Sequence, residues 1–414
     1  MKIANVICSA GVSGYFNKDL AAAKQGARQD GFGFIDPPVT PGFDQVLQPG
    51  QALSVMLLLE DGQVAFGDCL DVIFTGAAGR DPLFKAEAHR AVVEGPLRER
   101  LIGRECDQFR PLAEEIEDFR HDGAQLHTAL RFGISQALLQ AAAMAGRCTA
   151  AEIIAAEYDC EIATAPVPLL GMCPTPQEFM VEKMIMKRVD ILPHGSFANV
   201  ANDLGPDGQK LIDYAAWVSQ LITKKGGEGY QPAIHLDVYG TIGEMLGGNI
   251  DRIAEFTGRL VAAAAPYLLY LETPMIAENR QAQIEAFKAL RGACEGRGID
   301  VKLVADEWCN TLADIRAFAD AGAADYLQVK APDLGGLGNS IEALLYCREK
   351  DAGVYMGGSA NETDQSARLS AHVALACRAD FLMNKPGQGV DEGVSILSNE
   401  MARTLALIQA RQTH

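Results

Sequence analysis

The sequence feature that most limits the fold is an eightfold alternation of short apolar runs with helical segments between residues 165 and 385. The apolar runs have the length of strands, and amphipathic stretches such as NTLADIRAFADAG separate them and end at glycine, as helices do. Eight β-α units of this size predict a parallel α/β barrel, the (β/α)8 TIM-type fold. The eight predicted strands are VPLLGM (167–172), VDILPH (189–194), AIHLDVY (233–239), YLLYLE (267–272), VKLVAD (301–306), YLQVK (326–330), GVYMGG (353–358) and FLMNK (381–385).

The first part of the chain has a different pattern. Two strand-like runs, QALSVMLLLE and QVAFGDC, flank Asp61-Gly62, and this arrangement predicts a β-hairpin. The start, MKIANVICSAGVSG, is typical of a first strand and lacks the long apolar stretch of a signal peptide. Residues 84–158 are rich in Ala, Leu and Glu at helical spacing. Strands followed by helices predict an α+β domain over residues 1–160, ahead of a barrel domain over residues 161–414.

The charge and the cysteines limit what this protein binds and where it works. The chain has 36 Lys and Arg against 54 Asp and Glu, a formal charge of −18, which argues against nucleic acids and anionic membranes as partners. No window approaches the roughly 18 uninterrupted apolar residues that a transmembrane helix needs. The ten cysteines are spread singly without a CxxC pair, as free thiols of a reducing compartment are. We therefore expect a soluble cytoplasmic protein that acts on a small molecule, with a metal ion or a few placed lysines if that molecule is anionic.

Three acidic residues lie at or near the ends of three successive predicted strands. Asp237 lies near the end of AIHLDVY, Glu272 ends YLLYLE and Asp306 ends VKLVAD, so that one β-α unit separates each acid from the next. The carboxyl ends of barrel strands form the face on which TIM-barrel enzymes build their sites, and adjacent strands lie about 5 Å apart. Three converging carboxylates would raise one another's pKa values unless a cation lay among them. Oxygen-only ligands favour Mg²⁺ or Mn²⁺ over zinc, although strand-end acids also serve as helix N-caps or ion-pair partners.

Two further residues at the same face are candidates for acid–base chemistry. Lys330 ends YLQVK, with Gln328 two residues earlier on the same side of the strand. Beside a metal site, cationic neighbours would lower the pKa of the lysine amine so that it acts as a general base; the alternative is a lysine at a solvated rim. His194 ends VDILPH on the opposite side of the barrel, where it is either a second acid–base group or a structural histidine. The other histidines, at positions 89, 121, 127, 235, 372 and 414, show no ligand spacing.

This set of residues indicates one type of reaction. A metal ion held by three carboxylates, with an amine on one side and an imidazole on the other, fits abstraction of a weakly acidic proton next to a carboxylate. The metal would stabilise the enediolate charge as it forms, a contribution of several kcal/mol. A Lys or His base working with Mg²⁺ is the arrangement used in the enolase superfamily.

Nine segments between residues 31 and 393 carry a more specific resemblance. They are DPPVTPGF, GDC with GRDPLF, VDILPH, HLDVYGTIG, YLETP, VKLVADEWCNT, QVKAPDLGG, GGSANET and KPGQGVDEG. In this order they resemble the 3-methylaspartate ammonia-lyase family of the enolase superfamily, and VADEWCNT and KAPDLGG are highly specific. The resemblance implies an enolase-like architecture, with an N-terminal capping domain over the barrel, and a homodimer.

The resemblance also implies roles for individual residues. Mg²⁺ would be bound by Asp237, Glu272 and Asp306. Lys330 would be the base for the (S)-configured carbon, and His194 would lie on the opposite face. Gln328, together with His194, would bind the metal-bound carboxylate. These roles agree with those proposed from the residue pattern alone.

Several positions depart from the family pattern. A family glutamine in the loop before GRDPLF is Ile73 here, and another at the end of the first barrel strand is Met172. The family's Thr-Cys in the GGxxNET loop is Ser359-Ala360, whose backbone N–H groups are still able to bind a distal carboxylate, and a phenylalanine is Leu170. Two amides replaced by apolar side chains remove partners that a desolvated ammonium group needs. The change is either compensated drift or a change in the leaving group or substrate side chain.

We therefore expect a Mg²⁺-dependent carbon–nitrogen lyase that forms mesaconate or a related unsaturated diacid. The alternative enzyme keeps the same first step but acts on another diacid, as an ammonia-lyase for a bulkier or N-substituted aspartate, a dehydratase of a hydroxy diacid, or an epimerase. A catalytically silent barrel that binds a metal or a small acid is a further alternative. A nicotinamide enzyme is disfavoured because the glycines of DLGGLGNS lack the spacing of a dinucleotide site.

Overall fold

The strands before residue 160 form one antiparallel sheet and two short hairpins. The computed structural model describes residues 1–77, 79–173 and 177–413. The strands are β1 (Ile3–Lys18), β2 (Gln29–Asp30), β3 (Gly33–Phe34), β4 (Leu47–Leu59), β5 (Val64–Cys69), β6 (Arg120–His121) and β7 (Ala124–Gln125). The sheet has the order β1-β4-β5, while β2 pairs with β3 and β6 pairs with β7. The hairpin predicted around Asp61-Gly62 joins β4 to β5 and is confirmed.

Eight parallel strands form a closed barrel in the second part of the chain, as predicted. They are β8 (Leu169–Leu170), β9 (Ile191–Ser196), β10 (Ala233–Asp237), β11 (Leu269–Glu272), β12 (Val301–Ala305), β13 (Tyr326–Val329), β14 (Gly353–Met356) and β15 (Leu382–Met383). Their order around the barrel is β10-β11-β12-β13-β14-β15-β8-β9. The strand predicted at 381–385 is shorter in the structure, because only Leu382 and Met383 pair with the neighbouring strands.

Helices follow the strands of the sheet and alternate with those of the barrel. They are α1 (Leu20–Lys24), α2 (Ala86–Val92), α3 (Arg98–Leu101), α4 (Phe109–Glu117), α5 (Thr128–Gly146), α6 (Ala150–Tyr158), α7 (Glu178–Met186), α8 (Gln209–Lys225), α9 (Thr241–Met245), α10 (Ile250–Ala264), α11 (Arg280–Gly296), α12 (Leu312–Ala321), α13 (Ala331–Leu334), α14 (Leu337–Glu349), α15 (Asp364–Cys377) and α16 (Asp391–Gln412). A kink at Gly95 separates α2 from α3. No helix in the described ranges has the length and apolar character needed to cross a membrane.

Local sequence explains where several of these helices begin and end. Thr311 caps α12, since its side chain accepts a hydrogen bond from Asp314 N. The Asp314 side chain in turn accepts a hydrogen bond from the Thr311 backbone N–H. This reciprocal arrangement satisfies two of the free N–H groups of the first turn. Gly322, with φ of +55°, ends the same helix in the left-handed conformation that favours glycine. The helix predicted from NTLADIRAFADAG is thereby confirmed.

A close contact between two glycines fixes helix α5 against the sheet. A Cβ atom added at Gly67, on β5, would lie 1.9 Å from the carbonyl oxygen of Gly133 on α5. A Cβ added at Gly133 would in turn lie 2.4 Å from the backbone nitrogen of Cys69. Only residues without a side chain permit this approach of helix and strand backbones. The sheet and α5 therefore pack as one unit.

This α+β unit caps the carboxyl end of the barrel. Gly14 N, on β1, donates to Asn361 O at 2.9 Å, and Asn361 lies in the loop after β14. Lys24 Nζ, at the end of α1, donates to Tyr239 O after β10 at 3.1 Å. The cap thus contacts the loops on which barrel enzymes carry their functional residues.

Candidate active site

Five candidate residues predicted from the sequence lie at the mouth of the barrel beneath the cap. His194 belongs to β9, Asp237 and Glu272 end β10 and β11, and Asp306 and Lys330 directly follow β12 and β13. All five are buried. Because β9 and β13 lie four positions apart in a barrel of eight strands, His194 and Lys330 approach the centre from opposite sides.

The three acids are not at one level along the barrel axis. Asp237 pairs directly with Glu272, but Glu272 pairs with Val304, so Asp306 lies two residues further along its strand. The strand tilt of a closed barrel produces this stagger. Since side chains alternate along a strand, a step of two residues keeps Asp306 on the same side as the other two acids.

Glu272 is held in place through both carboxylate oxygens. Gln328 Nε2 donates to Oε1 at 2.5 Å, and Tyr355 Oη donates to Oε2 at 2.7 Å. Nε2 of His235 lies 3.2 Å from the same Oε2 atom. Hydrogen bonds from two residues of two other strands, β13 and β14, therefore orient this carboxylate, and His235 lies beside it.

His194 lies among the acids as a neutral imidazole. Its Nε2 is 3.8 Å from Glu272 Oε2 and 4.0 Å from Asp237 Oδ2. Within the described residues, neither ring nitrogen has a hydrogen-bond partner. Burial and the neighbouring His235 lower the pKa of His194 well below its ordinary value. The ring is therefore uncharged, and its Nε2 faces the carboxylates of Glu272 and Asp237.

Lys330 forms a buried ion pair with Asp306. Lys330 Nζ donates to Asp306 Oδ2 at 2.8 Å. Burial by itself lowers the pKa of Lys330, but the adjacent Asp306 carboxylate raises it, and the net direction is upward. The predicted lowering of the pKa of Lys330 is therefore wrong. That prediction assumed cationic neighbours, whereas the group in contact with the amine is the anion Asp306.

The electrostatics of Asp237 and Glu272 fit a bound cation. Burial first, and then neighbouring carboxylates, raise the pKa values of both residues well above their ordinary range. A cation among these oxygens relieves both effects, because it neutralises charge that water cannot reach. Asp306 would complete an all-carboxylate donor set, which suits Mg²⁺ or Mn²⁺. In this structure its two oxygens face Lys330 and Arg80.

A second possible ligand set contains nitrogen. Ligand atoms of His194, His235 and Glu272 lie within 4.8 Å of one another. The two imidazole rings, however, stack with centroids 4.8 Å apart and an interplanar angle of 9°. Parallel rings do not direct their lone pairs at one point, so this set is a poor tetrahedral site for zinc.

A cavity of about 460 Å³ opens from these groups towards the cap. Its wall includes Lys330, His194, Gln328 and Asp237 from the barrel, and the cap adds mainly apolar and aromatic side chains. All five residues predicted to contact a substrate line this cavity: Ile73, Met172, Gln328, Ser359 and Ala360. A cavity of this size accommodates a small molecule rather than a polymer.

The loop after β14 differs from expectation at one residue. The backbone N–H of Ser359 was predicted to be able to bind a distal carboxylate, but it donates to Glu362 Oε1 and Oε2 at 3.0 and 3.1 Å. The fully buried Lys385 lies 3.8 Å from Glu362 Oε1 and donates to Gly357 O at 2.5 Å. The Glu362 carboxylate therefore occupies the Ser359 N–H, and contacts with Glu362 and Lys385 stabilise the loop.

Several buried site residues were not predicted from the sequence. Alternation along β10 places His235 on the same side as Asp237, but the spacing of the histidines gave no signal that His235 belongs to the site. Tyr355 had no motif to identify it. Arg80 lies within the GRDPLF segment, yet its contact with the site crosses 253 residues of sequence. The guanidinium group is 3% exposed, with Nε donating to Asp333 Oδ2 at 2.8 Å and Nη2 lying 3.9 Å from Asp306 Oδ1.

The backbone at the barrel mouth adopts unusual conformations. His194, Tyr239, Thr273, Trp308 and Ala360 all have φ between +42° and +66°. Residues other than glycine adopt this left-handed region at a cost, and such positions concentrate at functional sites. His194 lies in the second half of β9, and the other four lie in the loops that follow β10, β11, β12 and β14.

Two family models together match nearly the whole chain. Residues 1–159 match the family model described as "Methylaspartate ammonia-lyase N-terminus", and residues 161–410 match "Methylaspartate ammonia-lyase C-terminus". A methylaspartate ammonia-lyase of Haloarcula marismortui is 48% identical over 417 residues, covering 100% of this chain and 99% of that protein.

Solved structures agree with these matches. The Mg complex of β-methylaspartase from Clostridium tetanomorphum superposes with a TM-score of 0.92 at 45% identity, covering 99% of this chain and 100% of that one. The Citrobacter amalonaticus methylaspartate ammonia lyase containing (2S,3S)-3-methylaspartic acid gives a TM-score of 0.95 at 43% identity, with the same coverage. A muconate lactonizing enzyme from Pseudomonas fluorescens, 14% identical with a TM-score of 0.62 over 90% of this chain and 84% of its own, shares the fold.

Proposed function

The chain belongs to the methylaspartate ammonia-lyase family, and from that premise we propose how its residues eliminate ammonia from 3-methylaspartate to give mesaconate. It is a carbon–nitrogen lyase. The observation that carries the assignment of roles is the placement of Lys330 and His194 on opposite sides of three buried acids, at the base of one cavity. The structure of a relative with (2S,3S)-3-methylaspartic acid supports the choice of substrate.

Asp237, Glu272 and Asp306 are the proposed ligands of Mg²⁺, with Mn²⁺ as a possible substitute. Two raised carboxylate pKa values and an all-oxygen donor set support this assignment, as does the Mg complex of the clostridial relative. When bound, the ion supplies positive charge that stabilises negative charge developing on a substrate carboxylate. Gln328 and Tyr355 keep Glu272 oriented for this task.

Lys330 is the proposed base that takes the proton from the carbon β to the amine. Its Nζ lines the cavity and is held at a fixed position by Asp306, a pairing that favours the protonated amine. With the charge of the Asp306 carboxylate taken up by a bound cation, Lys330 would be able to lose its proton and act as the base. A base held in place in this way lowers the entropic cost of proton transfer. His194 faces the same space from the other side, where its neutral ring polarises the substrate carboxylate with Gln328 and is placed to act on the opposite face.

The direct test is turnover with and without the divalent ion. Purified protein with (2S,3S)-3-methylaspartate and Mg²⁺ is expected to form mesaconate, followed by its ultraviolet absorbance. Addition of EDTA is expected to abolish the reaction, and excess Mg²⁺ to restore it. No mesaconate from folded wild-type protein at any Mg²⁺ concentration would refute the proposed substrate.

A second candidate is an aspartate whose amine or side chain is bulkier than that of methylaspartate. It is favoured by Ile73 and Met172, two apolar side chains in the cavity wall that offer no hydrogen bond to an ammonium group. If this candidate is correct, the double variant Ile73→Gln, Met172→Gln should turn over methylaspartate faster than wild type does. An equal or lower rate in that variant would favour methylaspartate itself.

The architecture supports three further proposals. The boundary between cap and barrel domains is proposed near residue 160, between α6 and β8. A homodimer and a cytoplasmic location are proposed on family resemblance and on the single, free cysteines. Size-exclusion chromatography with light scattering tests the dimer.

A further inference from the structure

Arg80 reaches the catalytic centre from the cap domain. It lies in the loop between β5 and α2, the same loop that places Ile73 in the cavity wall. This loop is closed by hydrogen bonds from Gly76 N and Thr75 Oγ1 to Asp81 O, at 2.8 and 2.9 Å. Asp71 anchors its start by accepting from Asn17 Nδ2 and Phe84 N, both at 2.8 Å. The loop that carries Arg80 is thus held by the cap, whereas the side chain of Arg80 contacts the barrel.

The guanidinium group completes a buried set of two cations and two anions. Arg80 Nε donates to Asp333 Oδ2, and Arg80 Nη2 faces Asp306 Oδ1. The other oxygen of Asp306 accepts from Lys330. Asp333 N donates to Lys330 O at 2.9 Å, so the same arginine also holds the turn that follows the lysine. Each charge has an opposite neighbour, and removing one leaves another buried and unpaired.

Two nitrogens of the Arg80 guanidinium group donate no hydrogen bond to the described residues. Nη1 and Nη2 of Arg80 are buried and have no hydrogen-bond partner within the described residues. The hydrogen bond from Arg80 Nε orients Asp333, whereas Nη2 acts on Asp306 through charge at 3.9 Å. A lysine in its place would keep the charge but lose the Nε–H donor. The contact therefore provides geometry in addition to charge.

We propose that Arg80 is a positioning residue for the lyase reaction, through which the docked cap sets the orientation of Asp306 and of Lys330. The proposal rests on the proposed function, in which Lys330 is the base. It makes the cap part of the proton-transfer geometry as well as the cover of the cavity. Since small misplacement of a base is costly, Arg80→Lys is expected to lower kcat by about 10- to 100-fold with little change in KM.

The test combines a kinetic isotope effect with chemical rescue. With substrate deuterated at the carbon that loses its proton, a misplaced base makes proton transfer more rate-limiting, so the isotope effect on kcat should rise in Arg80→Lys and Arg80→Ala. Added guanidinium chloride should restore part of kcat in Arg80→Ala, relative to NaCl at equal ionic strength. If Arg80→Ala does not fold, Arg80→Lys and Asp333→Asn provide the same isotope measurement.

Arg131 provides the matched control. It is a second buried arginine on the cavity of about 340 Å³ that Arg80 lines, and it pairs with Glu117 without contacting Asp306. Guanidinium should restore part of kcat in Arg80→Ala but should leave kcat of Arg131→Ala unchanged. An unchanged isotope effect in the Arg80 variants, with active wild type, would overturn this inference alone; inactive wild type would overturn the proposed function and this inference with it.

Discussion

Glu272 shows, at the scale of single residues, how much of this site is fixed by the neighbours of a predicted metal ligand. Gln328 donates to Oε1 and Tyr355 donates to Oε2. His235 Nε2 lies 3.2 Å from Oε2, the oxygen that Tyr355 binds. Side chains of this kind orient a metal ligand without touching the metal. His235 was predictable, since it shares a face of β10 with Asp237, but Tyr355 becomes part of the site only when the barrel closes.

Tyr355→Phe is expected to weaken Mg²⁺ binding by about 10- to 100-fold, because Glu272 loses the hydroxyl that orients Oε2. The aromatic ring stays packed on Phe381, 4.3 Å away between centroids, so the fold should be retained. Calorimetric titration of substrate-free protein measures the change. Tyr326→Phe, in the same aromatic cluster but without a bond to Glu272, is the control. Equal affinities in both variants would contradict the role given to Tyr355.

At the scale of elements, the alternation of apolar runs and helical segments was sufficient to predict the barrel, but it did not predict how the helices of the cap pack on its sheet. Each barrel strand has a short apolar run bounded by helix signals, and all eight were predictable. The strand ends carrying Asp237, Glu272 and Lys330 followed directly from that pattern. The contact between β5 and α5 was not predictable, since nothing local to Gly67 or Gly133 shows that their backbones meet.

Gly67→Ala tests that contact. The new Cβ would overlap Gly133 O, so helix and strand must separate, and a loss of about 1–3 kcal/mol in the free energy of unfolding is expected. Gly11→Ala, on β1 of the same sheet, meets no atom within 4 Å and should leave stability nearly unchanged. Urea unfolding measures both variants. Similar losses in the two would show that the close approach is unimportant.

At the scale of the whole molecule, the site lies between the cap and the barrel. These two units are formed by successive parts of the sequence and contact each other at the site. The acids, Lys330 and His194 come from the barrel, whereas Arg80 and Ile73 come from the cap. The barrel residues were predictable because the carboxyl ends of the strands of one barrel lie on one face. The place of Arg80 was not predictable, because the docking of the cap depends on contacts between residues far apart in the chain.

Stability is expected to fall on acidification because of His89 on α2. Burial first, and then His127, lower its pKa to about 4. The unfolded chain, with a histidine pKa near 6.5, therefore binds more protons between these values. The stability that neutral His89 contributes is therefore complete above pH ~6.5 and is lost as the pH falls towards 4.

His89→Phe should flatten that part of the pH–stability profile, since it removes the titrating group and keeps the stack on Phe84, whose ring lies 4.9 Å from that of His89. His121→Phe, at an exposed histidine on β6, is the control. Thermal unfolding between pH 4 and 7 follows the change. An acid limb equally steep in His89→Phe and wild type would contradict the assignment.

The central claim, that Lys330 removes the proton β to the amine, is tested most directly by proton NMR in D₂O with (2S,3S)-3-methylaspartate and Mg²⁺. We predict mesaconate formation and deuterium uptake at that carbon by wild type, and neither by folded Lys330→Ala. His194→Ala should still exchange this proton, because the imidazole lies on the opposite side. Deuterium uptake in Lys330→Ala at the wild-type rate would contradict the account.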